Sequence, residues 1–178
     1  MSTEAGDGPL LSRRRMLDAH GRLGDHLRAA DVVADLHIVG GTVMVTEYDA
    51  REATADVDAF SYEPHGAVER AAAAVAREMR LPRSWLNQQA SSYVPRQADW
   101  RRSVSFDHPN LHLYAIAPEQ LLAMKVQAGR PTDAEDIGTL CRILGITTVD
   151  DVERLTRAAY PDDQLSQRGV ALVRDILS

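Results

Sequence analysis

Two acidic residues separated by one position, Asp56 and Asp58, are the side chains in this sequence best suited to chemistry. The segment around them is predicted to be a strand. Because side chains alternate along a strand, Asp56, Asp58 and Phe60 should share one face, with Val57 and Ala59 on the other. The two acidic residues would then lie about 6.5 to 7 Å apart at their Cα atoms. Carboxylates paired in this way can share a hard cation such as Mg²⁺, which takes oxygen ligands and keeps sites for phosphate oxygens.

A glycine pair, Gly40 and Gly41, precedes the acidic strand. It follows a short apolar run from Leu36 to Val39, which is typical of a buried strand that stops and lets the backbone turn close to a ligand. A helix is predicted to start at Thr42, where free amide groups and the helix dipole favour a phosphate. The order of strand, glycine pair, short helix and acidic strand therefore indicates a cation site beside a phosphate site.

The last third of the chain contains a second group of charged residues. Lys125 belongs to a predicted helix over Glu119 to Ala128, with Pro118 at its first position, and leaves it at the edge of the apolar side. The chain breaks at Gly129, Arg130 and Pro131. These features place a lysine and an arginine close together in the sequence, next to the start of another helix.

That next helix opens with Thr132 to Glu135, which has the pattern of a capping box, and Gly145 ends it. Asp133 and Asp136 lie in its first turn on the side that faces the core. One interpretation is that these acids only complement the helix dipole. Taken with Lys125, Arg130 and the earlier acidic pair, a clustered site for phosphoryl or nucleotidyl transfer is favoured, since such a reaction needs charge neutralisation and orientation.

The predicted fold is α+β: a small mixed β-sheet with flanking helices over residues 10–116, and a helical part over residues 117–178 that packs on this core and contributes site residues. The other predicted elements are a helix from Ser12, a helix from Ala67 to Met79, a short capped helix at Trp85 to Asn87, two short strands between Val104 and Ile116, and helices over 149–159 and 165–177. Residues 1 to 9 have no periodicity and are predicted to be frayed.

Two residues that are sometimes chemical are predicted to be structural here. His20 falls on the apolar stripe of the first helix and should be a packing residue with one hydrogen bond. Cys141 lies among leucine and isoleucine residues and should be a buried filler. Because no second His or Cys lies at metal spacing from these residues, the sequence does not support a zinc site.

The composition is that of an ordinary globular protein, with 178 residues, 44% hydrophobic and 26% charged. A net charge of -6 argues against a protein that coats nucleic acid by electrostatics alone. Arg13 to Arg15 and Arg96 to Arg102, which includes Trp100, are either solvated surface or a local grip for phosphate and base. No apolar run is long enough to span a membrane and no signal core is present, so a cytoplasmic protein is expected.

Three segments together resemble the nucleotidyltransferases with a DNA polymerase beta type of catalytic core, and among them the AbiEii-type toxins and their small bacterial relatives. These segments are Ile38 to Thr42, the pattern Arg51-x-x-Thr-x-Asp-x-Asp58, and the run Leu121 to Ile137. The resemblance implies a cytoplasmic bacterial enzyme that uses a nucleoside triphosphate with Mg²⁺, modifies the acceptor end of tRNA, and is the toxin partner of a cognate antitoxin protein.

The resemblance also implies residue roles. Asp56 and Asp58 would bind the metal, and Asp56, Asp58, Lys125 and Asp136 would be catalytic. The implied nucleotide-binding residues are Gly40, Gly41, Thr42, Thr54, Lys125 and Arg130. Enzymes of this superfamily usually bring a third carboxylate from a later strand, for which this chain offers only Asp99 or Asp107, unless Asp136 substitutes.

Two alternatives remain open at this point. The first is an enzyme that adenylylates a protein or a small molecule, as other members of the superfamily do. The second is a catalytically degenerate protein that binds nucleotide or a partner such as an antitoxin. Neither membrane nor DNA is expected as a partner.

Overall fold

The computed structural model describes residues 10–178, so the frayed segment predicted for residues 1 to 9 lies outside the described residues. The helices of this range are α1 (Arg13–Ala29), α2 (Gly40–Thr46), α3 (His65–Met79), α4 (Pro118–Ala128), α5 (Ala134–Leu144), α6 (Val149–Ala159) and α7 (Gln167–Leu177). The strands are β1 (Leu11–Ser12), β2 (Ala34–Ile38), β3 (Ala53–Thr54), β4 (Val57–Glu63), β5 (Leu86–Asn87), β6 (Trp100–Arg102) and β7 (Leu111–Ile116). Short 3₁₀ turns occur at Gln89–Tyr93 and Pro131–Asp133.

Five of the strands form one sheet in the order β5-β4-β2-β7-β6, and β1 pairs with β3 in a separate two-stranded sheet. Strand β2 is antiparallel to β4 and parallel to β7, while β4 is parallel to β5. The sheet is therefore mixed, and the predicted α+β fold is confirmed. None of the helices in the described residues combines the length and hydropathy needed to cross a bilayer.

The chain divides into two compact units. Unit 1 comprises the residues up to 91 together with residues 102–115, and unit 2 comprises residues 92–101 and 116–178. Unit 1 therefore contains the glycine pair and the acidic strand, and unit 2 contains Lys125 and the acids of α5. Each unit is described by itself below.

Unit 1 buries one face of its sheet. The buried side chains Leu36 and Ile38 of β2 and Val57 and Ala59 of β4 lie on the same face, as the predicted alternation requires. Helices α1 and α3 pack on each other, and α3 contacts β4. Burying each large apolar side chain contributes about 1.5 to 3 kcal/mol. The opposite face of the sheet carries Asp58 and other polar or aromatic side chains that are half-buried.

Unit 2 is organised around α4. This helix contacts α5, α6 and α7, and all six residues from Leu121 to Val126 are buried. Pro118 occupies the first turn of α4, and Gly145 ends α5 with a left-handed φ of +66°, both as predicted. The helix predicted over residues 149–159 has the bounds of α6.

Two elements are predicted wrongly, and in both the residues contact parts of the chain that are distant in sequence. Leu86 and Asn87 form a strand beside β4 instead of a helix. A strand was also expected near Val104, but β6 ends at Arg102 and the residues that follow form a loop. In that loop the hydroxyls of Ser103 and Ser105 donate to the carboxylate of Glu47 at 2.6 Å and 2.8 Å, a contact with a distant residue that the local pattern does not contain.

The capping box predicted at Thr132 is also wrong. Residues Pro131–Asp133 form a 3₁₀ turn, and α5 starts at Ala134 after Asp133, with no side-chain cap. The helix after the glycine pair likewise starts at Gly40 instead of Thr42. In both places the helical turns begin earlier than the local pattern predicts, at Pro131 and at Gly40.

The arginine cluster at the start of α1 has a structural role in unit 1. The Nε group of Arg13 donates to the carbonyl of Thr46 at 3.3 Å, and a guanidinium nitrogen of Arg15 donates to the carbonyl of Met79 at 2.9 Å. Thr46 and Met79 are the last residues of α2 and α3, where carbonyl groups lack partners within the helix. Two of the three arginines therefore satisfy helix ends.

His20 and Cys141 are both buried, as predicted. The hydrogen bond predicted for His20 is not found, since neither ring nitrogen has a hydrogen-bond partner among the described residues. Its ring lies edge-on to that of Phe106, with centroids 5.7 Å apart. Burial lowers the pKa of His20 from 6.5 to about 4, so the imidazole is neutral at pH 7. Burial also raises the pKa of the Cys141 thiol, which agrees with a packing role.

Candidate active site

The glycine pair opens α2, after Val39 and the end of β2, and lies directly beside the start of β4. Val39 is extended, and its backbone N–H donates to the carbonyl of Asp58 at 2.9 Å. Gly40 has a φ of +65°, a conformation that side chains disfavour. A Cβ atom at Gly40 would lie 2.6 Å from Oδ2 of Asp58. The Asp58 carboxylate therefore lies over a backbone position that only glycine can supply.

A guanidinium group and a hydroxyl group lie against Gly41. A Cβ atom at this position would lie 2.9 Å from a terminal guanidinium nitrogen of Arg51 and 2.9 Å from Oγ1 of Thr54. Thr54 is buried in β3, where it pairs with Leu11 of β1. Because the guanidinium group reaches the glycine turn, Arg51 belongs to this cluster, although the sequence motif alone assigned it no role.

Thr42 braces the acidic segment. Its buried hydroxyl accepts a hydrogen bond from the backbone N–H of Asp58 at 3.0 Å and donates a longer one, 3.5 Å, to the carbonyl of Asp56. The hydroxyl therefore fixes the backbone on both sides of Val57. The role of Thr42 in nucleotide binding stays a prediction. In the structure its side chain holds the backbone of the two acidic residues in place.

Asp56 lies one residue before β4, and an amide side chain holds its carboxylate. Nδ2 of Asn87 donates to Oδ2 of Asp56 at 2.7 Å. Asn87 is brought there because β5 runs parallel to β4, with Asp58 paired to Asn87 and Val57 to Leu86. Asn87 could not be predicted from the sequence because 31 positions separate it from Asp56 and no local pattern marks it.

A divalent cation fits the chemistry of this donor set. Asp56 and Asp58 are half-buried carboxylates at one end of the sheet. Mg²⁺ usually takes one or two carboxylates, water and substrate phosphates instead of a complete protein cage. No group of three or more His, Cys, Asp or Glu residues in the described part of the chain is placed to hold a metal by itself. The acidic pair therefore offers part of a coordination shell for such a cation, which water or phosphate oxygens can complete.

The two candidates for a third carboxylate belong to different units. The side chain of Asp107 is 98% exposed and lies 3.9 Å from the guanidinium group of Arg102. Asp99 belongs to unit 2, where its backbone N–H donates to Oε1 of Gln120. Within unit 1, Asp107 therefore points to solvent and does not complete the acidic pair.

The second predicted cluster is assembled within unit 2. Nζ of Lys125 lies 2.8 Å from Oδ1 of Asp133 and 2.8 Å from Oδ2 of Asp136. The three side chains are only 7%, 13% and 3% exposed. Arg130 is exposed, and its guanidinium group lies over the ring of Tyr93, 5.8 Å from the centroid. Unit 2 thus brings Lys125 and Asp136 together, adds Asp133, and directs Arg130 toward an aromatic ring.

A mixed sheet, a glycine turn and two carboxylates at the start of the neighbouring strand indicate a protein of the nucleotidyltransferase class. Comparison with protein families gives the same class: residues 17–168 match the family described as "Nucleotidyltransferase of unknown function (DUF6036)". Because this match covers most of the chain, the protein belongs to that family. No curated protein and no solved structure matches the chain significantly.

Proposed function

We propose that this protein transfers a nucleotide from a nucleoside triphosphate to a hydroxyl group of RNA, and that Asp56 and Asp58 hold the Mg²⁺ needed for the transfer. The observation that carries the proposal is the position of the Asp58 carboxylate over Gly40, with Asp56 anchored beside it. Family membership supports nucleotidyl transfer as the general class of reaction. The arrangement supports cation-dependent transfer because it places carboxylates that can bind a cation next to the glycine turn.

The proposed roles follow from the contacts within each unit. Asp56 and Asp58 bind the cation, which, when bound, supplies charge neutralisation at the phosphates. The triphosphate would lie beside the turn at Gly40 and Gly41, where the Asp58 carboxylate lies against Gly40 and the guanidinium group of Arg51 lies against Gly41 and adds a positive charge. These groups orient the triphosphate and stabilise the charge that develops on it.

The residues of unit 2 are proposed to act in the same reaction. Lys125 and Arg130 would contact phosphate, and Asp136 would orient the Lys125 amine, with which it already forms a short ion pair. In this proposal Lys125 exchanges one carboxylate partner for a phosphate oxygen. Asp136 remains as the second partner and keeps the amine in place.

The acceptor and the cellular role rest on the resemblance to AbiEii-type toxins. Accordingly, the proposed acceptor is tRNA, and the proposed role is that of a cytoplasmic toxin held in check by a cognate antitoxin protein. An overall charge of -6 opposes RNA binding along an extended surface, so an RNA acceptor would have to be bound at one local site.

A label-transfer assay tests this proposal. The purified protein is incubated with Mg²⁺ and each of the four α-labelled nucleoside triphosphates, first with total tRNA and then with total protein. We expect label on tRNA from one nucleotide, lost in Asp56→Ala and retained in Asp107→Asn, which removes an exposed carboxylate of the same unit. Label on protein alone would show that the acceptor is a protein and would favour the adenylylation alternative. No label together with no nucleotide binding would indicate an interaction protein.

A further inference from the structure

Asn87 makes a contact with the acidic pair that goes beyond the proposed roles. Its Nδ2 group donates to Oδ2 of Asp56 at 2.7 Å, one of the shortest side-chain hydrogen bonds in unit 1. We infer that Asn87 is a positioning residue, which holds the Asp56 carboxylate in the orientation that binds the divalent cation. This inference rests on the proposed function, because it assigns a task to a residue of the same site.

The orientation of the Asn87 amide is fixed by three contacts. Its Oδ1 atom accepts the backbone N–H of Gln89 at 3.0 Å, and its Nδ2 group also donates to the carbonyl of Ser84 at 3.1 Å. A backbone N–H needs an acceptor and a carbonyl needs a donor, so the reversed amide would lose both bonds. The nitrogen end therefore faces Asp56, and Asn87 acts as a donor to the carboxylate instead of a metal ligand.

The hydrogen bond from Asn87 restricts how the Asp56 carboxylate can bind a cation. Asn87 engages one lone pair of Oδ2, which fixes the rotation of the carboxylate and leaves its other lone pairs for a metal. Asp56 precedes β4, so its position depends on the hydrogen bonds at this end of the sheet. One is the 3.5 Å bond from Thr42 to the Asp56 carbonyl, and another is the short bond from Val57 N–H to the carbonyl of Trp85. The Asn87 amide is therefore the contact that restrains the side chain itself.

Gln88 provides a matched control for Asn87. It is the next residue, it also carries an amide, and its Nε2 group donates to the carbonyl of Phe60 at 3.1 Å. Both side chains therefore connect this segment to the strand region that carries the acidic pair. Only Asn87 contacts a carboxylate, so a difference between the two variants reports on Asp56.

The test is binding of Mn²⁺ alone, which suits carboxylate sites for Mg²⁺, measured by the loss of the electron paramagnetic resonance signal of the free ion. We expect Asp56→Ala to abolish binding and Asn87→Leu to weaken it about tenfold or more, as is typical when a residue that orients a metal ligand is removed. Gln88→Leu should bind Mn²⁺ like the wild type. The Mg²⁺ concentration for half-maximal label transfer should rise in Asn87→Leu in the same proportion.

Unchanged Mn²⁺ affinity in Asn87→Leu, or equal losses in the Asn87 and Gln88 variants, overturns the positioning role. Thermal unfolding of each variant checks the fold, because a residue that only joined two strands would lower the melting temperature and leave metal affinity unchanged. Failure of the wild type to bind Mn²⁺, with label transfer intact, overturns this inference alone. Failure of both binding and transfer overturns the proposed function as well.

Discussion

The two groups of charged residues, one in each unit, are held in opposite ways. In unit 1, the carboxylate of Asp56 is half-buried and is anchored by a neutral amide. In unit 2, the charge of Lys125 is buried and paired with two carboxylates at 2.8 Å. A neutral donor orients a carboxylate and leaves its charge available, whereas a lysine neutralises it. The arrangement in unit 1 is suited to binding a cation. In unit 2 the charges are already paired with one another inside the protein.

The largest effect is expected from removing the central charge of unit 2. Lys125→Met leaves Asp133 and Asp136 buried without their cation and should lower the free energy of unfolding by about 3 to 5 kcal/mol. Urea unfolding measures this, with Arg157→Met as the control. The pair of Arg157 with Glu153 is largely exposed, so its loss should change the stability by less than about 0.5 kcal/mol. Equal effects of the two variants would contradict the difference between the groups.

The acidic pair of unit 1 should show the reverse behaviour. Asp58→Asn removes a proposed cation ligand and should lower label transfer by about 100- to 1,000-fold. Its stability should be close to that of the wild type, because a half-buried carboxylate is replaced by an amide of the same shape. Transfer assays and urea unfolding on the same preparation measure both quantities. A large loss of stability with activity retained would assign Asp58 to structure instead.

His20 extends the comparison to a buried group that is kept neutral instead of paired. Its pKa falls from 6.5 to about 4 on folding, so the unfolded chain binds the proton more tightly. Because the folded state favours the neutral imidazole, His20 contributes up to about 3 kcal/mol to the free energy of unfolding. This contribution is fully present above pH 6.5 and is lost as the pH falls toward 4. Unfolding measured between pH 7 and pH 4 should show this slope, and His20→Leu should reduce it. A slope that survives in His20→Leu would assign the acid sensitivity to other groups.

The smallest effect concerns two glycines with nearly the same conformation. Gly40 and Gly145 have φ values of +65° and +66°, so alanine at either position should lower stability by about 1 to 2 kcal/mol. Only at Gly40 would the new methyl group meet Oδ2 of Asp58, whereas nothing lies within 4 Å of it at Gly145. Gly40→Ala should therefore also reduce label transfer about tenfold, by moving the carboxylate. Equal activity in the two variants would show that the contact over Gly40 is not needed.

The sequence allowed the local features of the fold to be predicted. Val57 and Ala59 are buried on one side of β4 because alternation is a property of any strand, and Pro118 and Gly145 mark helix ends through their own backbone preferences. Features that depend on distant partners were missed. Leu86 and Asn87 form a strand only because β4 lies beside them.

The same limit applies to the candidate site. The acidic pair and the glycine pair were identified because their spacing lies within one short segment. The roles of Asn87 and Arg51 depend on contacts made by the folded chain, which no local pattern specifies. The pairing of Lys125 with Asp133 and Asp136 joins α4 to the start of the next helix, and the capping pattern at Thr132 gave the wrong boundary for that helix.

The parallel pairing of β2 with β7 has a consequence for how the chain is made. Leu111 pairs with Ala34, so one edge of β2 stays without its partner until the ribosome has synthesised the chain beyond β7. Contacts between such distant segments form slowly, and an apolar strand with an unpaired edge is a template for aggregation. A fragment that stops before residue 111 would contain every glycine and aspartate of the unit 1 cluster. It would nevertheless expose β2, so recombinant fragments that carry this cluster should include β7.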